Sequence, residues 1–194
     1  MNQEKVVVFI DGSNLFHAIR QMNIKIDYQK LVDFLKEDRR LIRAYFYSAI
    51  PQEKDLKRES PEWESLQRQK RFLDELSLLG IKVKIARLRR LNSGEFIEKE
   101  VDVMLATDML SLAYNGVYDT AILVSGDSDF SYTVEDIQRI GKRVENASFR
   151  KISSFQLRKV CDRFVLLDEY LDRFVVEESQ SQSIWNKISK LWRK

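Results

Sequence analysis

Residues 118–132 read Tyr-Asp-Thr-Ala-Ile-Leu-Val-Ser-Gly-Asp-Ser-Asp-Phe-Ser-Tyr, and the fold follows from how this stretch is read. Ala121, Ile122, Leu123 and Val124 form a short continuous apolar run bounded by polar residues, the pattern of a parallel strand buried on both faces. The run ends in Ser125-Gly126-Asp127-Ser128-Asp129, a turn carrying two carboxylates separated by one residue. In an open α/β sheet ligands gather at the carboxyl ends of the strands, so acids there are placed for chemistry. Either acid taken alone serves equally well as the cap of a helix starting near Phe130. What separates the two readings is whether other parts of the chain send acids to the same place.

Working outward, residues 5–10 are a second apolar run, stopped by Asp11-Gly12-Ser13-Asn14 just before a helical stretch at 15–22. This is another buried strand ending in an acid. The spacing predicts a helix over 28–36 with Asp27 as N-cap, then an aromatic-rich strand over 41–48. Residues 51–60 are charged and form a loop, and Pro61 opens a helix that runs to Gly80. Residues 81–85 alternate apolar side chains with Lys, which suits a strand at or near a sheet edge. The basic connection 87–98 contains the turn signal Asn92-Ser93-Gly94 and has room for a hairpin. Helices over 101–114, 130–140 and 155–161, a strand at 143–147 and an apolar segment at 164–167 complete the pattern. Strands alternate with helices throughout, which predicts a parallel sheet with helices on both faces.

The chain has 194 residues, 44% hydrophobic and 32% charged, enough for one domain with a substantial core. We expect residues 1–175 to be that domain, 176–183 a polar linker, and 184–194 a basic amphipathic tail helix. Trp185, Ile188 and Trp192 with Lys187 and Lys190 give the tail a face for a protein partner or a homodimer. No apolar run approaches the ~20 residues a membrane span needs, and the polar start lacks a leader pattern, so a cytoplasmic location is expected. The single Cys161 forms no internal disulfide, and with the lone His17 it cannot build a usual zinc site. Any metal therefore rests on oxygen ligands. A net charge of +3 does not by itself mark a nucleic-acid binder.

Strand carboxyl ends and helix amino ends share one rim in a βαβ unit, so Asp11 and Asp127 belong to the same rim. On a helical wheel Asp102 falls inside the apolar arc of Val101, Leu105, Met109, Leu112 and Ala113, in the first turn of its helix. An acid that only complemented the helix dipole would need no place on that arc. Asp108 lies six residues further on, roughly 9 Å down the helix, which suits a supporting role. Carboxylates brought within ~4 Å of one another repel by roughly 4 kcal/mol per pair at an effective dielectric near 20. Protonation or a cation must offset this, and an all-oxygen site suits Mg²⁺ or Mn²⁺.

Three pieces now stand out: Val7-Val8-Phe9-Ile10-Asp11-Gly12-Ser13-Asn14, then Lys99-Glu100-Val101-Asp102-Val103 through Asp108-Met109-Leu110, then Leu123-Val124-Ser125-Gly126-Asp127-Ser128-Asp129-Phe130. With Gly141-Lys142-Arg143-Val144 after them, their order and spacing resemble the NYN domain family, the PIN-like group that includes the LabA-like proteins. The resemblance covers roughly residues 5–168. It implies a three-layer, PIN-like (Rossmann-like) parallel sheet of about five strands, and a divalent-metal nuclease centre at Asp11, Asn14, Asp102, Asp127 and Asp129. Asp108 is a further family acid, and RNA is the implied substrate class.

The expected activity is hydrolysis of single-stranded RNA with Mg²⁺ or Mn²⁺ held by Asp11, Asp102, Asp127 and Asp129. Asn14, and less directly Ser125, would position the phosphate or a water. Arg87, Arg89, Arg90 and Lys99 would guide the backbone, and Tyr47 would stack a base, although solvated surface or core is the commoner use of each. The competing reading is a non-catalytic RNA-binding or regulatory protein acting through a partner. A phosphatase of the haloacid dehalogenase type needs a second acid where Ser13 stands, and dinucleotide or P-loop sites lack their glycines.

Overall fold

The computed structural model describes residues 3–90, 96–97 and 100–176; the tail and nearly all of the linker read above lie outside the described residues. The main sheet contains β1 (Lys5–Asp11), β2 (Arg40–Ile50), β3 (Lys82–Arg87), β6 (Thr120–Val124), β7 (Arg143–Ser148) and β8 (Arg163–Leu166). All neighbours are parallel, in the order β3-β2-β1-β6-β7-β8. The sheet has six strands where about five were expected, the sixth being a four-residue edge strand that the apolar segment at 164–167 supplies. β3 is the other edge, as its alternating lysines suggested. The basic connection does contain a hairpin, β4 (Arg89–Arg90) paired antiparallel with β5 (Phe96–Ile97).

The helices are α1 (Gly12–Met22), α2 (Tyr28–Lys36), α3 (Pro61–Leu78), α4 (Val101–Tyr114), α5 (Ser131–Arg139), α6 (Phe155–Val160) and α7 (Leu171–Phe174). Asp27 caps α2 by accepting from Lys30 N, and Ser60 caps α3 with Pro61 at its first position. The alternation of side chains along β1 divides the core in two. Val6, Val8 and Ile10 pack with Leu15, Leu31 and Leu76 of α1, α2 and α3, whereas Val7 and Phe9 pack with Leu105, Met109 and Val134 of α4 and α5. The central strand β6 is covered on both sides, with Ala121, Ile122 and Leu123 fully buried. Burying one such Ile or Leu stabilises the fold by about 1.5–3 kcal/mol. Among the described residues no helix is long and apolar enough to cross a membrane.

At the amino end of the sheet, Arg39 stands just ahead of β2 with its side chain 9% exposed. It donates to both carboxylate oxygens of Glu145 on β7, at 2.8 and 3.0 Å. It also donates to the Lys36 and Leu35 carbonyls that α2 leaves open at its C-terminus. Glu37 and Arg163 flank this pair, with Arg163 donating to Glu37 at 2.7 Å.

Candidate active site

The parallel register of β1 and β6 matches Phe9 with Leu123 and Ile10 with Val124, so Asp11 and Ser125 emerge side by side at the carboxyl rim. Both continue the side-chain parity that faces α4. Asp11 is only 4% exposed, and its Oδ1 accepts from Asn14 N at 3.1 Å as the N-cap of α1. The Ser125 hydroxyl donates to Asp11 Oδ2 at 2.9 Å and accepts from Asp127 N at 3.2 Å. Asn14 Oδ1 accepts from Gly126 N at 2.8 Å, and Asp127 Oδ1 accepts from Asp129 N at 2.9 Å. The ends of two strands are thereby bound into one hydrogen-bonded lattice through the side chains of Asp11, Asn14, Ser125 and Asp127. Capping and convergence both hold for Asp127, which caps the short 3₁₀ turn Ser128–Phe130 while standing beside Asp11.

Two glycines permit this close approach. A Cβ on Gly126 would meet Ile152 O at 1.9 Å, and one on Gly12 would meet Tyr47 O at 2.4 Å. Asn146 of β7, fully buried, donates from Nδ2 to the carbonyls of Ser125 at 2.7 Å and Leu123 at 3.1 Å, fixing the end of β6. Sequence reasoning gave Asn146 no role. Its signal was a side-chain amide among the inward positions of a buried strand, where an unpaired polar group is costly.

Asp102 lies in the first turn of α4 and is exposed, although its wheel direction lies within the apolar arc. Direction and depth are separate: the first turn stands at the rim, where the sheet has ended and no apolar layer covers it. Its carboxyl is held above the usual carboxylate range, first by partial loss of hydration and then by the charges of Asp127 and Asp129. Asp11, Asn14, Ser125, Asp127, Asp129 and Asp102 therefore meet at one rim.

The remaining expectations divide. Tyr47 is a correction: it is wholly buried, its ring packs near Tyr45, and its hydroxyl donates to Asp108 at 2.8 Å, so it offers no face to a base. Its position follows from pairing with Asp11 across β1 and β2, which turns the ring under α4. Burial and the Asp108 carboxylate push its phenol well above the ordinary range. Asp108 also pairs with Lys84 of β3 at 3.2 Å, so it clamps α4 onto the sheet. Arg87 is exposed at the end of edge strand β3, two strands from β1 and so roughly 10 Å away at the usual strand spacing. The backbones of Arg89 and Arg90 lie in the hairpin, and Lys99 falls outside the described residues.

A family model for the NYN domain matches residues 5–168. The chain belongs to the NYN domain family. This is a PIN-like nuclease family, and the parallel sheet flanked by helices on both faces is the architecture that the resemblance implied. Over 172 residues the NYN chain is 23% identical to the low amplitude and bright protein LabA of Synechococcus elongatus, covering 85% of this chain and 84% of that protein. Its fold is similar to the crystal structure of VPA0982 from Vibrio parahaemolyticus, a protein of unknown function. That match has a TM-score of 0.70 and 26% identity, covering 90% of this chain and 97% of the other. A fainter likeness, TM-score 0.46 at 18% identity over 79% of this chain and 58% of the other, is to the T5 D15 protein co-crystallised with metal ions.

The NYN rim fits a hard divalent cation in kind, since the donors it gathers are carboxylate oxygens. It is not a closed cage: among the described residues no three His, Cys, Asp or Glu side chains stand in a ligating group. Mg²⁺ requires none, because it keeps several waters and is commonly held by one or two carboxylates together with substrate phosphates.

The raised Asp102 carboxyl has a consequence for stability. A carboxyl whose folded pKa is raised binds its proton more readily in the folded state, so its unfavourable contribution grows as pH rises through the ordinary carboxylate range. In chelator at neutral pH, Asp102→Asn is therefore expected to melt above the wild type, with the difference vanishing as pH falls below the ordinary carboxylate range. A neutral-pH midpoint at or below that of wild type would remove this account of the site.

Proposed function

We propose that this NYN protein is a divalent-metal-dependent ribonuclease that hydrolyses phosphodiester bonds of single-stranded RNA at the carboxyl rim between β1 and β6. The observation that carries the reading is the lattice Asp11–Ser125–Asp127 and Asn14–Gly126, with Asp102 close enough to feel the charges of Asp127 and Asp129. Asp11, Asp102, Asp127 and Asp129 would hold Mg²⁺ or Mn²⁺. When bound, the ion supplies charge neutralisation at the phosphate and lowers the pKa of water for attack.

The chain's own residues set the geometry. Asp11 is fixed at both oxygens by neighbouring donors, so its carboxylate does not swing when substrate arrives. The Gly126 amide holds the Asn14 carbonyl, and the Asn14 Nδ2 donors would serve a phosphate oxygen of the bound strand. A rim of carboxylates repels a phosphate in the absence of a counter-charge, so seating of the scissile phosphate at the rim, as well as its cleavage, depends on the cation.

The test is to incubate the pure full chain with single-stranded RNA, and with single-stranded DNA of the same sequence, in Mn²⁺, in Mg²⁺ and in chelator. Cleavage of RNA in at least one metal and none in chelator is expected. Cleavage that persists in chelator overturns the proposal, and RNA binding without cleavage in any metal favours the non-catalytic reading.

A further inference from the structure

Phe155, the first residue of α6, is 73% exposed, the most of any large hydrophobic among the described residues. Its placement beside the acidic turn is fixed by the backbone: the Ser154 N–H donates to Gly126 O at 3.0 Å, and Gly126 N in turn is held by Asn14. The Ser154 hydroxyl caps Leu157 N at 3.4 Å and so pins the start of α6. The Arg158 guanidinium lies 5.8 Å from the Phe155 ring centroid and 5.3 Å from that of Phe164, which orients the ring from one side.

The segment that carries this ring is basic. Residues 146–161 contain Arg150, Lys151, Arg158 and Lys159 and no Asp or Glu. All four cations are exposed, and none forms an ion pair among the described residues. The rim thus has two unlike halves: carboxylates at Asp11, Asp102, Asp127 and Asp129, and directly against them a basic shelf carrying one bare aromatic ring.

We infer that this shelf is where single-stranded RNA lands, an unpaired base stacking on Phe155 and the adjoining phosphates lying along Arg150, Lys151 and Lys159. Sites for unpaired strands combine a positive track for the backbone with an aromatic face for the base. A duplex keeps its base faces covered by their neighbours, so the shelf selects unpaired strands. The inference deepens the ribonuclease reading and rests on it for the path of the strand past Asp127, but the shelf's affinity for RNA is measurable apart from cleavage.

The experiment follows anisotropy of a fluorescein-labelled single-stranded RNA of mixed sequence against the full chain in chelator, where no strand is cut. Phe155→Ala is expected to weaken binding about tenfold, within the range for loss of one stacked base. Phe155→Trp should stay within twofold of wild type, and the same RNA as a duplex should bind more weakly and be indifferent to Phe155→Ala. Arg150→Ala with Lys151→Ala should reduce both affinity and its salt dependence. Because Phe155 is exposed, an unchanged thermal midpoint for Phe155→Ala shows that folding is intact. Phe155→Ala within twofold of wild type overturns the inference, as does a change in self-association with RNA affinity unaltered. Loss of binding in Phe155→Ala with no cleavage by wild type in any metal leaves the shelf standing and removes the ribonuclease. Metal-dependent cleavage by wild type with unaltered binding by Phe155→Ala does the reverse.

Discussion

Replacing Asp127 by Asn, or Asp11 by Asn, lowers cleavage of single-stranded RNA by on the order of 10²-fold or more, the scale seen when one preorganised electrostatic group is lost from an active site. The substitutions suit the local bonding. Asn at 127 retains the Oδ1 that accepts from Asp129 N, so the 3₁₀ turn keeps its cap. Asn at 11 retains an acceptor for Asn14 N, and its amide can donate to the Ser125 hydroxyl where the carboxylate accepted from it. Each removes one negative charge and one of the proposed cation ligands from a rim whose shape is otherwise kept. Circular dichroism and thermal melting should be close to wild type, while the metal concentration needed for half-maximal cleavage rises. A variant that cuts RNA at the wild-type rate with its fold intact would exclude the residue from the site.

Replacing Glu145 by Ala destabilises the protein by about 3–5 kcal/mol, the usual result of removing one partner from a buried ion pair. The Glu145 side chain is 5% and the Arg39 side chain 9% exposed, so Arg39 is left charged in a place water reaches poorly. Arg39 then keeps only longer contacts to the part-exposed carboxylates of Glu37 at 3.7 Å and Glu4 at 3.9 Å, and Arg163, 3.7 Å from Glu145 and paired with Glu37, is a like charge. For a chain of this size 1 kcal/mol corresponds to about 2–4 °C, so the thermal midpoint falls by roughly 6–20 °C. Replacing both partners, Arg39→Met with Glu145→Leu, should recover much of the loss, because no buried charge then remains unpaired. The pair lies at the amino end of the sheet, so cleavage per folded molecule at low temperature is unaffected. A loss under about 1 kcal/mol for Glu145→Ala would show that the site takes in water freely.

Much of the architecture is legible in local pattern. Continuous apolar runs at 5–10 and 121–124 mark buried strands, and each is found with both faces covered. Asp27, Pro61 and the helix over 101–114 appear where capping and periodicity put them, because those signals act over one or two turns of chain. The four-residue strand β8 carries too little pattern to declare itself, and pairing with β7 is what makes it a strand.

The candidate site divides in the same way. That acids ending buried strands must share a rim with the helix amino ends is a topological necessity, and it places Asp11, Asp127 and Asp102 before any coordinates are known. Which of their neighbours they touch depends on register, a pairing between residues more than a hundred positions apart that no local spacing encodes. Register sets Ser125 against Asp11 and turns Tyr47 under α4 rather than toward a base. The strand order brings Asn146 to the end of β6, and packing of the loop after β7 against Gly126 sets Phe155 beside the acids. By itself the sequence determined the elements and the end of the sheet where its acids lie. Only the tertiary structure decided which side chains complete that rim, because completing it depends on long-range pairing and on depth relative to the end of the sheet.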